Sequence, residues 1–428
     1  MTHTGNEKMN DELVAKLNGW IDQERDEMIA FLKRFLQAKS PNPPGDTRDA
    51  AAVVTEFLDA RNLPYRMVSP NPVMPNIVGS FDGAGQGKHL VLNGHIDVFP
   101  VDEEDQRWTS GPWEADIRDG KIYGRGACDM KPGTTASIFT YAMLHRIRDE
   151  FGGKLTLTCV SDEETFGPWG ARYLMDNEPE VLGDCLLNGE PSSPLTIRFG
   201  EKGPLWLAVT IQTEGAHGAY VHATDSATKI AARLALALES VCDMEVPLPD
   251  NLGRAIEASR EAVDKAMGKG AHATVPRVTL NVGRIDGGIK MNMIPGQCRM
   301  EIDFRVPVGA NKEMILERVN EVMADFPEAT MEEVGHAPPA YSDPYGEMVT
   351  ILQDTVEELR GFKPTPIISL GGTDARLWRY RNIPAYVYGP FPYGMGSYDE
   401  HVDLEDFIHV VRTHVLASYR YLSQNTQS

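Results

Sequence analysis

The sequence predicts an α/β protein: a mostly parallel sheet with helices on both faces, interrupted by an inserted α+β domain. Three observations carry this expectation. Residues 89–98, 154–160 and 185–188 are apolar runs of strand length, and acidic or histidine side chains gather at or just after their ends. Helical segments at 134–149 and about 168–177 separate these runs, and strands that alternate with helices build parallel sheets covered on both sides. The character then changes near Gly203, where LWLAVTIQTE begins a strictly alternating pattern. The expected division is therefore 1–202 and 336–428 for the α/β domain, with 203–335 as the insert.

Taken in order, residues 11–37 place Leu13, Leu17, Trp20, Ile21, Met28, Leu32 and Phe35 at helical spacing. The loop SPNPPGDT follows, and Asp46 or Thr47 can cap a helix that runs to about residue 61. After the strand at 89–98 comes KIYGRGACDMKPG, residues 121–133. Its glycines permit a sharp turn that delivers Asp129 to a fixed point, and Pro132 suits the first turn of the next helix. The strand at 154–160 runs into Asp162, Glu163 and Glu164, and the strand at 185–188 into Glu190. In the insert, an alanine-rich helix at 226–241 and a charged helical stretch at 250–270 precede strands at 276–285 and 297–306. A helix at 312–324 and a short strand at 329–334 complete it. The α/β pattern resumes with a helix at 345–360, GGTDARLWR at a helix start, a strand at 385–388 and a final helix at 404–422. The tail SQNTQS is expected to fray.

Bulk composition narrows the function. A chain of 428 residues with 42% hydrophobic and 24% charged content is an ordinary globular protein, long enough for two domains. Its net charge of −21 argues against nucleic acid or an anionic membrane as partner, because no surplus of cations is present to neutralise phosphates. Five scattered cysteines without a CxxC pair indicate neither a disulfide framework nor a thiolate zinc site. The N-terminus lacks the basic-then-apolar pattern of a signal peptide, so a cytoplasmic location is expected.

The chemistry resides in loops after strands. In parallel sheets, functional groups collect beyond the carboxyl ends of the strands. His95 and Asp97 stand two residues apart and, on a strand, share one face, which sets a carboxylate beside the imidazole. Asp162, Glu163 and Glu164 follow an apolar strand, and adjacent inward carboxylates need a cation. Glu190 lies at another strand end, and His401, in SYDEHVDLED, lies before the last helix. Singly, each has a plainer reading: a strand-end histidine bonded to an acid, a solvated acidic turn, a surface acid, a surface histidine. Together, two histidines and at least four carboxylates suit a site for two divalent metals bridged by a carboxylate, with N and O ligands.

GHxD, GRGxxDMK, SDEE, GEPSS and a C-terminal histidine, in that order, resemble the M20 metallopeptidase and deacylase family from about Asn93 to Asp403. The resemblance implies that Asp129 bridges the two metals, followed by a cis peptide. It gives His95 and Glu190 to one metal and Glu164 and His401 to the other. Glu163 becomes the general base and Asp97 the partner of His95. The insert resembles a lid that makes a homodimer. AHGAYVHATDSA supplies His217, which reaches the partner subunit's site, with His222 a less favoured second candidate. Val221 and Asp225-Ser226 depart from the family's pattern there. KMNMIPGQCRMEIDFR makes Asn292 and Arg305 substrate contacts, and GGTDAR resembles a substrate-lining loop whose Gly372 and Thr373 amides face an anion.

The implied activity is hydrolysis of a C–N bond by a metal-activated water, with Zn, Mn or Co as metal and Glu163 as base. The simplest substrate is an N-acyl amino acid or small peptide with a free carboxylate. A rival keeps the site but deaminates an aromatic amine such as 5-nitroanthranilate, releasing ammonia; the aromatic segment LWRYRNIPAYVYGPFPYGMGSY would suit a flat substrate. A non-catalytic binding protein on the same scaffold would have lost a ligand or the base, and all six positions are retained.

Overall fold

A computed structural model describes residues 3–424. The chain forms two compact units: one runs to Phe199 and resumes at Ser342–Pro366 and from Thr373 onward, while the other holds Gly200–Tyr341 and Ile367–Gly372. Ile367–Gly372 thus joins the second unit, because backbone pairing such as Lys202 N to Ser369 O (3.0 Å) ties it there. Of the tail expected to fray, 423–428, Ser423 still belongs to the last helix, and residues 425–428 lie outside the described residues.

The first unit is built on a sheet whose centre is parallel. Lys154–Val160, His89–His95, Cys185–Asn188 and Ala385–Val387 lie side by side in that order, all parallel. Arg66–Asn71 and Met74–Asp82, which carry no strong alternation, add antiparallel strands at one edge, and Thr196–Glu201 joins antiparallel at the other. Helices cover both faces. Val91, Val160 and Leu186 pack with the helices Ala171–Asn177 and Ala375–Arg379. A side chain at Gly94, on the opposite face, would meet Thr134 of the helix Lys131–His145. That helix is buried along almost its whole length and packs with Leu404–Ser423. Its Lys131 Nζ donates to the carbonyls of Phe35 and Ala38 at 2.7 Å each, an anchor that offsets the cost of burying an ammonium. The helix expected over 11–37 is two helices, His3–Gln23 and Arg25–Gln37, parted at Glu24, whose carboxylate pairs with Arg146.

The second unit is a four-stranded antiparallel sheet in the order Thr279–Gly287, Gln297–Val306, Gly203–Gln212, Ala329–His336. Alternate residues of Gln297–Val306 are buried, and with Leu205, Leu207 and Val209 they pack under the helices Ala227–Ala237 and Lys312–Met323. The charged stretch forms two short helices, Asp250–Ala258 and Arg260–Met267. Among the described residues no helix is long and apolar enough to cross a membrane.

Two packing features of the first unit lead to predictions. The helix Lys131–His145 meets the loop before Glu190 backbone to backbone: a Cβ on Gly133 would lie 1.9 Å from the Gly189 carbonyl oxygen. Gly133→Ala must push the two apart and is expected to cost at least about 2 kcal/mol in denaturant melts. Gly253→Ala, with open space around its Cβ within the helix Asp250–Ala258, should be neutral or stabilising by up to about 1 kcal/mol. Second, burial pulls His409 down to about 3 and His414 to about 4. Above the ordinary histidine value neither folded nor unfolded chain takes the proton; below it only the unfolded chain does, so stability falls with pH from about 6.5 toward 4. Urea titrations at pH 7 and pH 5 should show His414→Gln losing about 2 kcal/mol less than the parent over that interval.

Candidate metal centre

Three parallel strand ends and one helix start converge on the centre. His95 closes the strand His89–His95, and Thr134 Oγ1 donates to its carbonyl at 2.7 Å. Asn188 Nδ2 donates to Asn93 Oδ1 (2.9 Å), and Asn188 Oδ1 accepts from the Glu190 amide (2.8 Å). This polar ladder between strands fixes where the Glu190 loop begins. Asp129 ends the GRGACD turn, and the peptide after it is cis, as the resemblance implied. The outcome is one tight group: ligand atoms of His95, Asp129 and Glu190 lie within 4.8 Å of one another, with His95 Nε2 3.2 Å from Asp129 Oδ1 and 3.3 Å from Glu190 Oε1.

Asp97 acts differently from the strand-face expectation. The strand ends at His95, so Asp97 no longer shares its face. His95 Nδ1 donates to the Asp97 main-chain carbonyl at 2.9 Å, and the carboxylate stands 3.5 Å away. That carboxylate instead accepts from Asn42 Nδ2 (2.9 Å) and from the amides of Glu163 (3.3 Å) and Glu164 (3.1 Å). Asp97 therefore orients the imidazole with its backbone and the two glutamates with its side chain. Asp162 is structural: it accepts from Thr165 Oγ1, Asn42 Nδ2 and the Trp169 amide, closing the turn that carries the glutamates.

Glu163 is buried, and its Oε1 lies 3.4 Å from Arg376 Nη1. Burial, then the charges of Asp374 and Glu190, raise its carboxyl well above the ordinary range. Burial and Asp129 do the same to Glu164, whose Oε1 is enclosed and makes no hydrogen bond. Burial and Asp129 push Glu190 up to about 8. Burial also pushes Asp129 upward, but the hydrogen bond and charge of His95 outweigh it and leave this group low. His401 stands outside the tight trio. Its Nδ1 donates to the Asp399 carbonyl at 2.8 Å, and Tyr393 stacks on its ring at 5.1 Å with Tyr123 4.7 Å away. Both histidines thus spend Nδ1 on a backbone carbonyl two residues away, which leaves Nε2 as the ligand atom.

The donor set fits a divalent cation. Crowded buried carboxyls that raise one another, an enclosed carboxylate oxygen without a partner and imidazoles presenting Nε2 are what such an ion would satisfy. With oxygen and nitrogen donors alone, Zn, Mn and Co all suit the site chemically.

Other residues singled out in the sequence lie elsewhere. His217 is exposed in the second unit on the two-residue strand Ala216–His217, paired with Met293–Ile294, and the Gly218 amide donates to the Asn292 carbonyl at 2.8 Å. Arg305 grips Asp303 on its own strand, Nε and Nη2 at 3.0 and 2.9 Å. Gly372 closes the second unit, and Thr373 opens the next segment of the first, where its carbonyl accepts from Arg376. Sequence reasoning missed Asn42, Arg376 and Glu400. The signal for Glu400 was its place beside His401 in an acidic run, and that for Arg376 was its place in GGTDAR.

The sequence matches Peptidase family M20/M25/M40 over residues 91–419. It is 27% identical over 388 residues to a succinyl-diaminopimelate desuccinylase of Cereibacter sphaeroides, covering 88% of this chain and 94% of that protein. The fold is similar to an M20 family metallo-carboxypeptidase of Sulfolobus solfataricus, with TM-score 0.79 at 19% identity over 92% of this chain and 99% of that one. It is also similar to the di-peptidase Dug1p of Saccharomyces cerevisiae, with TM-score 0.78 at 16% identity over 97% and 99%. Matched over most of its length, the chain belongs to peptidase family M20/M25/M40 and is a metal-dependent hydrolase acting on amide C–N bonds.

Proposed function

We propose that this enzyme cleaves the amide bond of an N-acyl amino acid or small peptide that carries a free carboxylate, with Glu163 as general base. The observation behind this reading is the state of Glu163: a buried carboxyl raised well above its ordinary range beside the His95–Asp129–Glu190 group. A base must hold a proton between its removal from water and its delivery to the leaving nitrogen, and a raised pKa suits both steps near neutral pH. Bound at His95, Asp129 and Glu190 on one side and Glu164 and His401 on the other, Zn, Mn or Co would acidify the attacking water and polarise the scissile carbonyl. Glu163 takes the proton at a carboxylate oxygen and returns it to the amine nitrogen. Arg376 and the Asp97-held amide keep that carboxylate in place.

The second unit supplies selectivity. His217 would stabilise the developing oxyanion in the site of a partner subunit, within a homodimer formed through this unit. The Thr279–Gly287 strand lies at a sheet edge, and Ile285, Ile289 and Met291 near it are exposed, which supports such pairing. Asn292, Arg305 and the Gly372 and Thr373 amides would hold the substrate carboxylate, with Arg305 exchanging Asp303 for it. The five free cysteines accord with a cytoplasmic location.

Glu163→Ala should keep its metal content by mass spectrometry yet lose turnover by about 10²- to 10⁴-fold; a largely active variant would remove Glu163 as base. Mixing Glu163→Ala with His217→Ala subunits, each inactive alone, should restore activity, since a mixed dimer contains one complete site. No recovery in demonstrably mixed dimers would confine His217 to its own chain. The substrate test is a panel of N-succinyl and N-acetyl amino acids, dipeptides and ortho-amino benzoates, run on metal-loaded and chelated enzyme. Metal-dependent release of an amino acid is expected. Ammonia from an aminobenzoate alone would replace amide hydrolysis with aromatic deamination.

A further inference from the structure

Glu400 is 1% exposed, and both its carboxylate oxygens and its main-chain carbonyl are engaged with the loop that carries Asp129. Its Oε1 accepts from the amides of Cys128 (2.9 Å) and Asp129 (3.1 Å), and its Oε2 accepts from Arg125 Nη1 at 2.5 Å. Its own carbonyl accepts from the Gly124 amide at 2.9 Å. Arg125 in turn donates from Nη2 to the Gly396 carbonyl at 3.3 Å. His401 follows directly and pairs with Tyr123 across the strands His401–Asp403 and Lys121–Tyr123. Residues 123–129 and 399–401 are thus joined from both main chain and side chain.

A buried ion pair is a poor device for stability alone, because desolvation cancels most of its attraction. Its value lies in fixing geometry. We propose that Glu400 is a positioning residue that sets the placement of the Asp129 carboxylate relative to the His401 imidazole. It would thereby govern the affinity of the second metal position, which takes both Asp129 and His401, more strongly than that of the one at His95 and Glu190, which shares only Asp129. The proposal rests on the assignment of Asp129 as bridge and His401 as ligand. Arg125 Nη1 and the amides of Cys128 and Asp129 together occupy both Glu400 carboxylate oxygens.

The test is metal titration of the full-length enzyme with Zn by chelator competition, and with Mn by electron paramagnetic resonance, beside steady-state rates. Glu400→Asp keeps the charge but withdraws the carboxylate by one methylene, whereas Glu400→Gln keeps the reach and one acceptor oxygen. The parent should bind two ions per chain, and His401→Ala should lose the second. Glu400→Asp should bind the second ion about 10- to 100-fold more weakly and the first, which shares Asp129, within a few-fold of the parent, with kcat recovering in excess metal. Glu400→Gln should show the same pattern with a smaller loss, and it carries the test if Glu400→Asp does not fold. If Glu400→Asp and Glu400→Gln bind both ions like the parent while His401→Ala loses one, the proposal fails alone. If both ions weaken together with the thermal midpoint, the role is general stability and the proposal fails. If His401→Ala still binds two ions, the ligand assignment fails, and the proposal with it.

Discussion

Packing several carboxyls into one largely buried region is unfavourable unless something balances their charge, and the first unit is arranged around that problem. Asp129, Glu163, Glu164 and Glu190 each sense at least one of the others, and three of them are raised by burial and mutual repulsion. Side chains free to move would relieve the crowding by turning to water. They cannot, because each is carried on backbone that is fixed elsewhere: a parallel strand end for His95, a polar ladder for Glu190, a closed turn for Glu163 and Glu164. The close approach of Gly133 and Gly189 brings the helix after Asp129 against the loop before Glu190. The fold thus holds the charges together, and a divalent cation is the chemistry that repays the cost.

Two further carboxylates organise this region by the same device. Asp97 accepts the amides of two consecutive residues, Glu163 and Glu164, and a side-chain donor from Asn42. Glu400 accepts the amides of two consecutive residues, Cys128 and Asp129, and a side-chain donor from Arg125. Each ties down a ligand-bearing loop through its backbone, leaving the functional side chains free for other partners. Charge-assisted bonds to amides are strong and directional, so one carboxylate can orient a loop that has no regular secondary structure.

What the sequence made legible follows from this physics. The central strands were readable because they are buried on both sides and so are continuously apolar. The second unit was readable because one sheet face is wet, which imprints alternation on Gln297–Val306. The antiparallel strands Arg66–Asn71 and Met74–Asp82 carry no comparable period, and strands as short as His401–Asp403 cannot show one. At the site, residue types and order revealed the donors, and the spacing of His95 and Asp97 put a carboxylate 3.5 Å from the imidazole, although the strand itself stops at His95. Glu400, Asn42 and Arg376 act across sequence separations of up to hundreds of residues. Their local signals, a place beside His401 for Glu400 and in GGTDAR for Arg376, do not name the distant group each one bonds.

The proposed roles are divided between the two units. Every proposed ligand, and the proposed base, lies in the first unit, on strand ends and loops braced by buried hydrogen bonds. The proposed substrate contacts His217, Asn292, Arg305 and Gly372 lie in the second, where His217 is exposed and Arg305 is engaged with a neighbour it can release. Substitution at Asn292 or Arg305 leaves the donor set of the first unit untouched. Substitution among the strand-end residues disturbs several charges together, because each is balanced by the rest.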